Sequence, residues 1–125
     1  MNCKILLGFL VLICFSTCLP EDMTKYSLED KPIKIAVKDT INEITINWDK
    51  VNGSSFSEYI MTRNTNSTEA AKLLKDIDPS TIIGRFSDKE ISSMKEKSGI
   101  GQAYYRLYIL MENQVFSSDE IYNKL

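Results

Sequence analysis

Four stretches of the chain alternate their residues with a period of two, and that rhythm is the strongest limit on what it can fold into. In IKIAVKDT, from Ile33 to Thr40, Ile33, Ile35 and Val37 alternate with Lys34, Ala36 and Lys38. EITINWDKV sets Ile44, Ile46 and Trp48 against Thr45 and Asn47. EYIMTRNT places Tyr59 and Met61 on one face and Ile60 and Thr62 on the other. AYYRLYIL separates Tyr105, Leu107 and Ile109 from Tyr104, Arg106 and Tyr108. Successive residues of a strand point to opposite faces, so each stretch reads as a strand with one side for a core. Asn52-Gly53 marks a reversal, because both residues tolerate the positive φ of tight turns. TIIGRF and VFSSDEIYNKL add further short strands.

Two segments break the rhythm. In STEAAKLLKDIDPS, Ala70, Leu73, Leu74 and Ile77 recur at helical spacing, Ser67 or Thr68 can cap the start, and Asp78-Pro79 closes it. A helix of two to three turns inserted between strands is expected there. SDKEISSMKEKSG reads as a polar connection, partly helical, that ends at Gly99. Strands and helices do not alternate, which argues against a parallel α/β sheet. Six or seven short strands predict an all-β sandwich, with Ile35, Ile44, Ile46, Trp48, Tyr59, Met61, Ile83, Leu107 and Ile109 as its core.

The N-terminus reads as an address. Lys4 precedes the uninterrupted apolar run ILLGFLVLICF, which is shorter than the ~20 residues a bilayer span needs and suits a secretory signal core. Ser16 and Thr17 follow, then Cys18 and the acidic pair Glu21-Asp22. All three cysteines lie at or before Cys18, so the exported body has no disulfide although its compartment permits one. The expected division is a signal peptide over 1–18, a flexible leader over 19–30 and one domain over 31–123.

FSTC resembles the lipobox of bacterial lipoproteins, in which a cysteine directly after small residues is lipidated. Phe15 and Thr17 depart from the commonest pattern, and cleavage just after Cys18 by an ordinary signal peptidase is the competing reading. Lipidation at Cys18 would tie the protein to a membrane.

The strand order, with its marker residues, resembles a fibronectin type III domain. In that family a Trp ends the second strand, as Trp48 does in ITINWDKV. The third strand is similar in Tyr59, Met61 and Arg63 of YIMTR. Asp88 lies where bacterial members carry an Asp after the fifth strand, Gly101 and Tyr105 match the Gly-then-Tyr before the sixth, and Ser117-Ser118 match the paired hydroxyls of the last. The resemblance covers about Lys31 to Tyr122. It implies an immunoglobulin-like (fibronectin type III) sandwich of about seven strands, with Trp48, Tyr59, Tyr105, Leu107 and Ile109 as structural core. It also implies that Tyr105 ties a loop to the sixth strand. The inserted helix is a departure, as is the single Pro32 where the family has a proline-rich start.

Composition excludes several chemistries. The chain has no histidine, hence no Ser-His-Asp or Cys-His arrangement and no histidine metal ligand. Without a cysteine after Cys18, thiolate nucleophiles and Cys-based zinc sites are also absent from the body. No phosphate-cradling or dinucleotide motif occurs, and DKEISS does not match a calcium loop. The carboxylate neighbours Glu21-Asp22, Glu29-Asp30 and Asp119-Glu120 would point to opposite faces of a strand. A formal net charge of −2, more negative once Lys4 is removed, leaves no footprint for nucleic acid.

No catalytic residue, metal site or cofactor is therefore expected. The outward row Tyr104, Arg106, Tyr108 suits a binding face for a protein or polysaccharide at the cell surface, or else packs under a loop. The expected function is a non-enzymatic, exported cell-envelope protein, lipid-anchored through Cys18, with one interaction module. The alternatives are a secreted domain without lipid, glycosylated at Asn52 or Asn66, and a small envelope enzyme that uses carboxylates.

Overall fold

The computed structural model describes residues 24–25, 27–28, 31–99 and 101–124, with backbone alone up to residue 32. The signal segment and Cys18 lie outside the described residues.

Two antiparallel sheets face each other as an all-β sandwich. The smaller contains Ile35–Asp39 (β4), Glu43–Trp48 (β5) and Ser93–Lys97 (β8), in that spatial order. The larger runs from Ile82–Phe86 (β7) through Phe56–Asn64 (β6) to Ala103–Met111 (β9). The free edge of β9 is completed by two short strands. Val115–Ser117 (β10) pairs with its Leu110 end, and Ile121–Asn123 (β11) pairs with its Ala103 end. They act as one strand broken at residues 118–120. Ser118 bridges the break: its N–H donates to Leu107 O at 2.9 Å, and the Leu107 N–H donates to its Oγ at 3.0 Å.

The period-two faces of the sequence become the core. Ile35, Ile44, Ile46 and Trp48 from the small sheet meet Tyr59, Met61, Tyr105, Leu107, Ile109 and Phe116 from the large one, all buried. Ile83 packs against this cluster half-buried. Trp48 sits 5.5 Å from the Tyr59 ring and 5.9 Å from the Phe86 ring, and its indole N–H donates to Ile91 O at 3.1 Å. Gly84 makes room for Phe86: a Cβ there would meet that ring at 2.8 Å. Tyr59 ties two loops at once, accepting from the Val51 N–H at 3.0 Å and donating to Lys89 O at 2.8 Å.

The structure departs from the sequence reading in four places. First, no helix forms over residues 67–78. Glu69 has a positive φ of 63°, Leu73 is extended (φ −64°, ψ 149°), and only the 3-10 turns Leu74–Asp76 and Pro79–Thr81 appear. The apolar residues there pack on a flat sheet face, and an extended path with short turns keeps them in contact with it. Second, the supposed polar connection contains β8, whose register pairs Ile46 with Met94 and Ile44 with Glu96. Third, Tyr105 does not tie a loop backbone; its hydroxyl donates to the Glu96 carboxylate at 2.7 Å. Fourth, the expected leader contributes backbone pairing. Thr24–Lys25 (β1) runs parallel to β10, and Ser27–Leu28 (β2) pairs with Lys31–Pro32 (β3). A sheet edge offers unpaired N–H and C=O groups, and β1 satisfies those of β10.

Candidate functional site

The outer face of the large sheet is where the sequence placed its binding row, and register arranges it in tiers. Asn64, Tyr104 and Tyr122 form one tier across β6, β9 and β11. Thr62 and Arg106 form the next, followed by Ile60, Tyr108 and Ser117. Residues 65–81, which link the paired strands β6 and β7, fold back over the last two tiers. Ala71, Leu74 and Ile77 pack on Ile60, Tyr108 and Val115 and close a second, smaller hydrophobic cluster. The Tyr108 hydroxyl accepts from the Lys72 N–H at 3.2 Å.

A polar clasp holds this cover down. Arg106, whose side chain is 4% exposed, donates from Nη1 to Ser118 O at 3.0 Å and from Nη2 to Thr68 Oγ1 at 3.2 Å. The Glu120 carboxylate lies 3.7 Å from the same guanidinium. It also accepts from Ser67 Oγ at 2.7 Å and from the Thr68 hydroxyl at 2.8 Å. Burial raises the Glu120 pKa. The hydrogen bonds from Ser67 and Thr68, with Arg106 beside it, outweigh that and hold it below the usual carboxylate range. A buried arginine needs its donors met, and here they are met by groups from the covering loop and the broken edge strand.

Arg106 and Tyr108 are thus placed under a loop rather than on an open face. Only Tyr104 of the expected row reaches the surface, half-buried against Tyr122, which is 46% exposed; their ring centroids are 4.8 Å apart at 37°. Tyr122 escaped the sequence reading because the last strand breaks at residues 118–120, so its parity with Tyr104 was not visible. Trp48, Tyr59, Leu107 and Ile109 lie wholly inside, and so does the Tyr105 ring.

A cleft of about 40 Å³ beside Asn64 and Arg106 is far below the ~300–1,000 Å³ of metabolite pockets. At the opposite end a wide hollow opens between Ser54–Ser57 and Met111–Glu112, close to where β1 joins the sheet. Among the described residues no group of three or more His, Cys, Asp or Glu converges, and no helix is long and apolar enough to cross a membrane. Of the sequence neighbours Asp119 and Glu120, the first is exposed and the second accepts the hydrogen bonds of the clasp. No family model, curated protein or solved structure matches the chain.

Proposed function

We propose that this chain is an exported, lipid-anchored cell-envelope protein whose single fibronectin type III-like domain works by binding, not by catalysis. One observation supports the family reading: several of the marker residues fall on strands where the resemblance expects them. Counting the seven main strands from β4, Trp48 ends the second, Tyr59, Met61 and Arg63 lie on the third, Tyr105 on the sixth, and Ser117-Ser118 at the seventh. Two markers depart: Asp88 follows the fourth strand and precedes the fifth, and Tyr105 lies within the sixth strand rather than before it.

The binding reading is supported by where the chain arrives. β1 pairs with β10 so that Thr24 lies opposite Val115, which itself faces Leu110. Tyr104 is six positions away along β9, about 20 Å at the usual strand rise. An anchor at Cys18 would therefore hold the Leu110 end toward the membrane and turn the Tyr104–Tyr122 end outward. Glu120 with Arg106, and Glu96 with Arg63, are held in structural pairs.

Mass spectrometry of the N-terminal peptide from membrane fractions tests the anchor. A diacylglyceryl-modified Cys18 is the expected result, and a free Leu19 on soluble protein would replace the anchor with simple secretion. Asn52 and Asn66 are both exposed, so glycan mass at either would support the secreted alternative.

A further inference from the structure

We infer that Asn52 is a site of spontaneous modification: its side-chain amide leaves as ammonia through a succinimide formed with the Gly53 nitrogen, and water opens the ring to aspartate or isoaspartate. This chemistry is independent of the binding reading above. Asn52 stands on the turn between β5 and β6 and is exposed. Among the described residues its side-chain amide has no hydrogen-bond partner, and neither has the Gly53 N–H. Gly53 has a φ of 126°, and a Cβ there would meet nothing nearer than Met111 Cε at 3.9 Å, so water and base reach the peptide from an open side.

The reaction needs only base and water. The Gly53 N–H gives its proton to base, and the nitrogen attacks Asn52 Cγ to close the succinimide ring. The amide nitrogen takes up a proton and departs as ammonia. Water then adds at either ring carbonyl, so a carboxylate replaces the amide and no electron is transferred. Lys89 Nζ donates to Gly53 O at 3.1 Å, and a positive charge beside the peptide favours the nitrogen that has lost its proton. Glycine lacks the Cβ that would crowd the attack and leaves the backbone free to turn toward it.

The other asparagines lack this combination. Each of them precedes a residue with a side chain. After Asn47, the Trp48 N–H donates to Ser92 O at 2.9 Å, and after Asn42, the Glu43 N–H donates to Thr40 Oγ1 at 3.3 Å. On its N-terminal side the Asn52 turn is fixed, because buried Val51 donates its N–H to the Tyr59 hydroxyl. Isoaspartate adds a methylene to the backbone, so the displacement falls on Ser54–Ser57, which border the wide hollow. An aspartate at this position accepts no N-linked glycan, so the reaction also forecloses glycosylation there.

The test is incubation of the freshly purified full chain in mildly alkaline buffer made with heavy-oxygen water, followed by peptide mapping by mass spectrometry. Asn52 is expected to convert before every other asparagine, with the mass of an acid that carries one heavy oxygen. Part of the product should accept a methyl group from an isoaspartyl methyltransferase. Asn52→Gln, whose longer side chain must close a larger ring, should lose the conversion at this position, and an unchanged melting temperature shows that its fold is intact. A sample unfolded in guanidinium gives the rate that the bare sequence allows, and the folded chain should convert on the same timescale. A folded chain that keeps Asn52 intact while the unfolded chain converts overturns the inference, because the fold then protects the turn. Earlier conversion of another asparagine, or a product without heavy oxygen, overturns it as well.

Discussion

The Tyr105 hydroxyl donates to the Glu96 carboxylate at 2.7 Å and so joins the two sheets across the edge of the core. Arg63, on the strand beside Tyr105, pairs with the same carboxylate. The side chain of Glu96 is 11% exposed, so this carboxylate is held in place of an aliphatic core residue. A buried acid left with fewer partners is costly. Tyr105→Phe should lose about 1–2 kcal/mol in urea denaturation. A double-mutant cycle with Glu96→Gln should return a coupling of about 1 kcal/mol, and additive effects would show that the bond contributes nothing.

Alkaline titration reads the same bond from the other side. Burial, then the hydrogen bond and charge of Glu96, push the Tyr105 pKa up; burial chiefly raises that of Tyr59. Both groups prefer the protonated form in the folded chain, so their stabilisation is complete below the unfolded value of about 10 and declines as pH rises above it. Tyrosinate absorbance should therefore show a late component that coincides with unfolding. Tyr105→Phe should remove part of it.

The Glu120 clasp makes an acid-side prediction. Its folded pKa is depressed, so its contribution is present above the ordinary carboxylate pKa and is lost as pH falls through the folded value. Glu120→Gln should destabilise by about 1–3 kcal/mol at pH 7 and by much less at pH 3. Hydrogen exchange at pH 7 should show the loss of protection concentrated in residues 65–81. An equal effect at both pH values would mean that charge plays no part in holding the loop.

Trp48 touches Tyr59 and Phe86 and donates to Ile91, so it links strands of both sheets. Trp48→Ala should cost ~3–5 kcal/mol, most of the stability of a small domain. Gly84→Ala should cost ~1–3 kcal/mol by displacing Phe86 from Trp48, visible as a change in indole fluorescence.

The sequence disclosed the strands in which apolar residues take every second position, namely β4, β5, β6 and β9. It hid β8 because one of its two inward residues is Glu96, whose place in the core is intelligible only once Arg63 and Tyr105 are seen to meet it. The spacing of Leu74 and Ile77 predicted a helix, whereas both residues pack half-buried on the sheet without one. Helical period and contact with a flat sheet both require apolar residues every few positions, and only the partner surface distinguishes them. Of the binding row, parity put Tyr104, Arg106 and Tyr108 on one face. Which of them a loop would cover, and that Tyr122 would join them, depended on long-range pairing.

The central claim is that an anchored sandwich meets its partner at the Tyr104–Tyr122 end. A photo-cross-linking residue placed at position 122 in cells that produce the full chain tests this directly, with position 53 at the opposite end as the comparison. The account predicts an adduct with an envelope macromolecule from position 122 and none of that species from position 53. Adducts from position 53 alone, or the same species from both, would contradict it.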